Sequence, residues 1–99
     1  VKESLYKLRI ADSVAGLIRG MHPLLRKKVK ASLKTILLDP HSGKVLKDEL
    51  SGLLSFRVSN FRIIYKISGK EIQIVATGPR KTIYEETFRI IKRENKAQK

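Results

Sequence analysis

The tightest constraint on the fold of this chain lies between Leu53 and Thr77, where three β-forming runs are separated only by short turns. Leu53–Val58 is followed by Ser59-Asn60, Phe61–Ile67 by Ser68-Gly69-Lys70, and Glu71–Thr77 closes the series. A two-residue link of this kind fits a β-hairpin, so the runs predict an antiparallel three-strand meander. In the third run Ile72, Ile74 and Ala76 alternate with Gln73, Val75 and Thr77, the two-residue period of a strand. With positions 58 and 61 flanking the first turn, Arg57 stands nearly opposite Arg62 and projects to the same face. Opposed like charges either extend into solvent or hold something anionic between them.

The flanking segments supply the other layer. Leu5–Ile10 places Tyr6, Leu8 and Ile10 in alternation and predicts a first strand. Asp12 or Ser13 is suited to cap a short helix with Val14, Leu17 and Ile18 on one face, and Gly20 closes it. His22-Pro23 opens a longer helix, with proline at the first position, where its missing N–H costs nothing. Leu25, Val29, Leu33, Ile36 and Leu37 form its apolar stripe, and Asp39-Pro40 stops it. Pro40 to Gly52 reads as a loop tacked down by Leu46 and Leu50. After the break at Gly78-Pro79-Arg80, a last helix is expected over Thr82–Arg93, anchored by Ile83, Phe88 and Ile91, with a frayed polar tail over 94–99. The layout is α+β: N-terminal strand, helical hairpin, antiparallel three-strand meander and C-terminal helix. Helices packed on one sheet face give two layers, with the other face open to solvent or a partner.

Residues 1–99 read as a single domain, long enough for one core without staples. Cysteine is absent, which removes disulfides and thiolate chemistry and suits a reducing cytoplasm. No apolar run approaches the roughly 20 residues needed to span a bilayer, and the N-terminus carries no signal-peptide pattern. Charge narrows the partner further. Twenty-two Lys and Arg against nine Asp and Glu give a formal +13, spread along the chain and interleaved with apolar periodicity. Such a surface attracts phosphate polymers through counterion release, and also anionic membranes and acidic proteins.

Metal chemistry has no ligand set here: His22 and His41 stand far apart, without a carboxylate cluster at ligand spacing. Phosphate-binding glycine loops and nucleophile-elbow serines are missing as well. No cofactor is expected, and any catalysis must come from Arg, Lys, Tyr and perhaps one His or Glu. Arg80 and Tyr84 stand four apart, the spacing that shares one face of a helix.

These residues carry a resemblance. Phe56-Arg57-Val58-Ser59-Asn60-Phe61-Arg62-Ile63-Ile64-Tyr65 resembles the "YRVGDYRIIY" signature of RelE/ParE-type toxins from toxin–antitoxin systems. Gly78-Pro79-Arg80-Lys81-Thr82-Ile83-Tyr84 resembles their terminal "GHRxxVY" motif, and Leu46 to Leu53 their "LKGELxGLWR" approach to the sheet. The resemblance covers nearly the whole chain and implies a microbial-ribonuclease-like fold. In the RelE-like branch it implies an endoribonuclease, an mRNA interferase. Such toxins cut messenger RNA in the ribosomal A site without metal, the 2′-hydroxyl attacking the neighbouring phosphate. On that pattern Arg62 holds the scissile phosphate and Arg80 stabilises the transition state or protonates the leaving group indirectly. Tyr84 stacks on a base or orients the 2′-hydroxyl, and Arg57 takes the place of a catalytic lysine. Lys44, Lys47 and Lys81, with Lys27, Lys30 and Lys34 on the long helix, extend the positive surface toward ribosomal RNA.

The chain departs from the pattern at three points. Arg57 is a poor base where lysine is expected, Ser55 replaces a basic residue, and Pro79 replaces histidine. Glu85 and Glu86 are open to either of two roles, a base or a favourable charge in the first helical turn. The resemblance further implies a cognate antitoxin protein in a toxin–antitoxin heteromer, with messenger RNA and 16S/23S RNA near the A site as nucleic-acid partners, in the cytoplasm. Its other branch implies a ParE-like toxin that poisons DNA gyrase without chemistry of its own.

Overall fold

A computed structural model describes residues 5–97, with the side chains of 95–97 outside the description. The N-terminal residues read for a leader and the last two of the polar tail lie outside the described residues. The elements are β1 (Lys7–Ile10), α1 (Asp12–Arg19), α2 (Pro23–Leu38), β2 (Lys44–Val45), β3 (Leu54–Val58), β4 (Phe61–Ser68), β5 (Glu71–Pro79) and α3 (Ile83–Ala97). They form one five-stranded sheet in the order β1-β5-β4-β3-β2. The meander β3–β4–β5 is antiparallel, as its short turns require. Strand β1 joins β5 in parallel, Leu8 against Ile72 and Ile10 against Ile74, and Arg9 pairs with Glu71 at 3.0 Å.

Side-chain alternation divides the sheet into two faces. Leu54, Val58, Ile63, Tyr65, Ile72 and Ile74 join Val14 and Ile18 of α1 and Val29, Leu33 and Ile36 of α2 in the main core. A bulge at Ile64/Tyr65 sets Ile64 opposite Ala76 and Tyr65 opposite Ile74, so β5 still serves both faces. Ile64 and Ala76 then meet Leu53 and Ile83 in a second cluster, with Leu46, Leu50, Tyr84, Ile90 and Ile91 around it.

The second cluster corrects the placement of the last helix. α3 lies on the face opposite α1 and α2, so both sheet faces carry helices. Gly78 permits that approach, because a Cβ there would stand 3.1 Å from Ile83 Cδ1. On α3 the fully buried positions are Ile83 and Thr87, whereas Phe88 is 38% exposed and lies beneath Lys92 Nζ at 6.0 Å. Thr87 satisfies its buried hydroxyl by donating to Ile83 O at 2.7 Å. The helix continues to Ala97, through residues expected to fray.

Other details also differ from the sequence reading. Ala11, not Asp12 or Ser13, occupies the N-cap of α1, and Asp12 falls in the first turn. Leu17 points outward at 59% exposure, because an eight-residue helix buries only its Val14–Ile18 stripe. His22 caps α2, its Nδ1 accepting from Leu24 N–H at 3.3 Å. Within the expected loop, 3-10 turns at Pro40–Ser42 and Asp48–Leu50 bracket the edge strand β2. Tyr65 holds this segment down: its buried hydroxyl donates to Pro40 O at 2.6 Å and accepts from Gly43 N–H at 3.1 Å.

Candidate functional site

The α3 face of the sheet carries a row of polar groups at the end of the meander. Arg57 and Arg62 are register partners across the β3–β4 hairpin, and Arg62 is in turn opposite Gly78 of β5. The pairing follows from the two-residue turn, in which Ser59 takes a positive φ of 54°. Arg57 is exposed, whereas Arg62 is half-buried. Arg62 Nη1 donates to Ser55 Oγ at 3.3 Å, and its Nε is buried without a hydrogen-bond partner among the described residues. A buried donor left unmatched costs about 1–3 kcal/mol. In a native protein such a group calls for a partner, whether water, ion or ligand.

Ser55, two residues before Arg57 on the same face, is only 1% exposed. Its hydroxyl lies 3.2 Å from the hydroxyl of Tyr84, which reaches over from the first turn of α3. Three side chains from two strands and a helix thus form one chain: Arg62, Ser55, Tyr84. Sequence reasoning registered Ser55 only as a missing base. Its role depends on α3 crossing to this face, for which no local pattern gives a signal.

Arg80 reaches the same end of the sheet by another route. The helix starts at Ile83, so Arg80 lies in the turn before it and the four-residue helical argument for Arg80 and Tyr84 does not apply. Instead, Arg80 N–H donates to Asn60 O at 2.7 Å, tying the β5–α3 turn to the β3–β4 turn. Asn60, Pro79, Arg80 and Lys81 line an open cleft of about 360 Å³ between these turns. Lys28 of α2 reaches the β3–β4 turn itself, its Nζ donating to Ser59 Oγ at 3.3 Å.

The remaining candidates separate. Lys44 is the register partner of Ser55 and shares its face, next to the arginine row. Lys47 lies beyond the Leu46–Leu53 bond, past the other end of β3 from Arg57. Lys27, Lys30 and Lys34 are exposed on α2. The two glutamates also part: Glu85 pairs with Arg89 at 2.7 Å in solvent, while Glu86 Oε2 stands over Gly78, 3.5 Å from where a Cβ would lie. Among the described residues, no helix is long and apolar enough to cross a membrane.

A two-helix hairpin thus covers one sheet face, and a basic, hydrogen-bonded row lies on the other. The model of the ParE toxin of the type II toxin–antitoxin system parDE matches residues 8–84, and the chain belongs to that family. No curated protein matches it in sequence. Among solved structures, it is similar to the RelBE2 toxin–antitoxin complex of Mycobacterium tuberculosis, at 23% identity and a TM-score of 0.67 over 76% of this chain and 98% of that one. It is similar to the RelE–RelB complex of Pyrococcus horikoshii, at 21% and 0.64 over 77% and 96%. A free Escherichia coli RelE with two arginines replaced by alanine gives 17% and 0.70 over 92% and 98%. At these identities the likeness is one of fold.

Proposed function

We propose that this toxin is a ribosome-dependent messenger-RNA endonuclease that cuts without a metal, using the RNA's own 2′-hydroxyl. The observation that carries this reading is the half-buried Arg62 guanidinium, with Nε lacking an acceptor and Nη1 linked through Ser55 to Tyr84. The 2′-hydroxyl loses its proton and its oxygen bonds to phosphorus. The bond from phosphorus to the next nucleotide's 5′-oxygen breaks, that oxygen takes up a proton, and in between charge concentrates on the non-bridging oxygens. A fixed cation aimed at them stabilises that state more than the ground state. Arg62 takes the scissile phosphate, Arg57 supplies a second cation across the hairpin, and Arg80 approaches from the β5–α3 turn. Tyr84 contacts the ribose or the adjacent base. Lys44 and Lys81 continue the positive surface along the RNA, with Lys47 further out.

The reading treats residues 1–99 as one toxin domain acting in the cytoplasm, where ribosomes translate. Its partner is a cognate antitoxin whose acidic segment covers the +13 surface. A gyrase poison without chemistry, the other branch of the family resemblance, has no need of an acceptor-less guanidinium beside a tyrosine hydroxyl. Mapping RNA 5′ ends after brief induction separates the two. The proposal expects new ends inside translated messages that vanish with Arg62→Ala. Gyrase-linked DNA breaks with intact messages would replace it with the other branch.

A further inference from the structure

We infer that Ser55 is a positioning residue for Tyr84, and that it fixes the direction in which the tyrosine hydroxyl gives its hydrogen. The inference rests on the nuclease reading above. Ser55 is 1% exposed in the middle of β3, between Leu54 and Phe56, which turn to the opposite face and pack with the main core. A buried hydroxyl at such a place needs partners, and it has two: Arg62 Nη1 at 3.3 Å and Tyr84 Oη at 3.2 Å.

The chemistry of the two partners sets the polarity. A guanidinium donates and never accepts, so the Ser55 oxygen is the acceptor from Arg62. The serine's own buried hydrogen then needs an acceptor, and of its two hydrogen-bond partners among the described residues only Tyr84 Oη can accept. The chain therefore runs from Arg62 to Ser55 to Tyr84, with the tyrosine oxygen receiving. Its own O–H is then free to point away from the sheet, toward an oxygen of RNA bound on the arginine row. A basic residue at position 55, as in the family pattern, offers donors but no acceptor, and would not bridge the arginine to the tyrosine in this way.

The test is single-turnover cleavage of ribosome-bound messenger RNA by the purified full chain, comparing wild type, Ser55→Ala, Ser55→Thr, Tyr84→Phe and the Ser55→Ala/Tyr84→Phe double variant. Ser55→Ala is expected to slow the cleavage step about tenfold or more and to leave half-saturation within about twofold. Ser55→Thr, which keeps the hydroxyl, restores the rate. Because Ser55 acts through Tyr84, the double variant is no slower than Tyr84→Phe alone. An unchanged rate in Ser55→Ala, or losses that multiply in the double variant, would overturn the inference. A second readout does not need activity: the 13Cζ resonance of Tyr84 in the free protein moves with Ser55→Ala and returns with Ser55→Thr. A resonance indifferent to Ser55 overturns the positioning role. A wild-type chain that cleaves nothing sinks the nuclease reading instead, and the resonance still decides the hydrogen bond.

Discussion

Tyr65 and Tyr84 sit on opposite faces of the same sheet and use their hydroxyls in opposite ways. Tyr65, fully buried toward α1 and α2, donates to Pro40 O and accepts from Gly43 N–H. Pro40 O and Gly43 N–H are backbone groups, the Ser42 side chain is a further hydrogen-bond partner, and together they fasten the β2 segment to the sheet. A Cβ on Gly43 would lie 2.5 Å from that hydroxyl, so the clasp leaves no room for a side chain. Tyr84, half-buried on the other face, sets its hydroxyl against that of Ser55, itself held by Arg62. A hydroxyl saturated by backbone stabilises the fold, whereas one at the end of a side-chain series keeps a hydrogen bond to give. The same division separates the faces: Ile63 and Tyr65 of β4 turn to the main core, and Arg62, just before Ile63, turns to the face of Ser55 and Tyr84.

The largest effect that can break this comparison is at Arg62. Arg62→Ala should lower cleavage by about 10²–10³-fold, the scale for removing one donor from a transition-state oxyanion, with little change in the unfolding midpoint. Tyr65→Phe should do the reverse. It leaves two backbone groups without their partner and costs about 1–3 kcal/mol of stability. In a domain of this size that is about 4–8 °C in Tm for each kcal/mol, with cleavage intact below the transition.

pH sharpens the same contrast. Burial holds the Tyr65 phenol above its ordinary value, against the opposing hydrogen bonds from Gly43 and Ser42, while Asp39 pushes it further up. The folded state therefore keeps its proton longer than the unfolded state. The stability linked to this group is fully present below about pH 10 and is lost as pH rises through the higher folded value. Alkaline unfolding followed by circular dichroism should show that loss in wild type, and Tyr65→Phe should flatten it. The smallest effect is at the turn joining the two arginines. Ser59→Gly relieves a positive φ of 54°, worth about 1–2 kcal/mol before glycine's own entropy cost of about 0.5–1 kcal/mol, and should raise the unfolding midpoint slightly even though it removes the Lys28 contact.

Much of this arrangement was legible in the sequence, and the parts that were not have a common physical cause. The Arg57–Arg62 pairing could be read because a two-residue turn fixes register, and with it the face of every side chain. The helical hairpin was legible from its stripe of Val29, Leu33 and Ile36, and from Pro23 and Asp39-Pro40 at its ends. The Tyr65 clasp was not, since its partners lie 25 and 22 residues away and are backbone groups that any residue could present. The face taken by α3 was also hidden. Ile83 and Ile91 were read as anchors and do pack on the second cluster, but Phe88, chosen with them on hydrophobicity, is exposed while Thr87 is buried, and this packing brings Tyr84 over Ser55. Arg80 was placed near the site for the wrong reason: the turn-to-turn bond to Asn60 brings it there, not a helical spacing.

The central claim is that the α3 face does the chemistry while the α1/α2 face holds the fold. Its most direct test is cleavage of ribosome-bound messenger RNA by Arg62→Ala and Tyr65→Phe side by side, each checked by thermal unfolding. The account predicts Arg62→Ala folded and at least about 100-fold slower, with Tyr65→Phe less stable and active. An Arg62→Ala protein that is folded and cuts at the wild-type rate would contradict it.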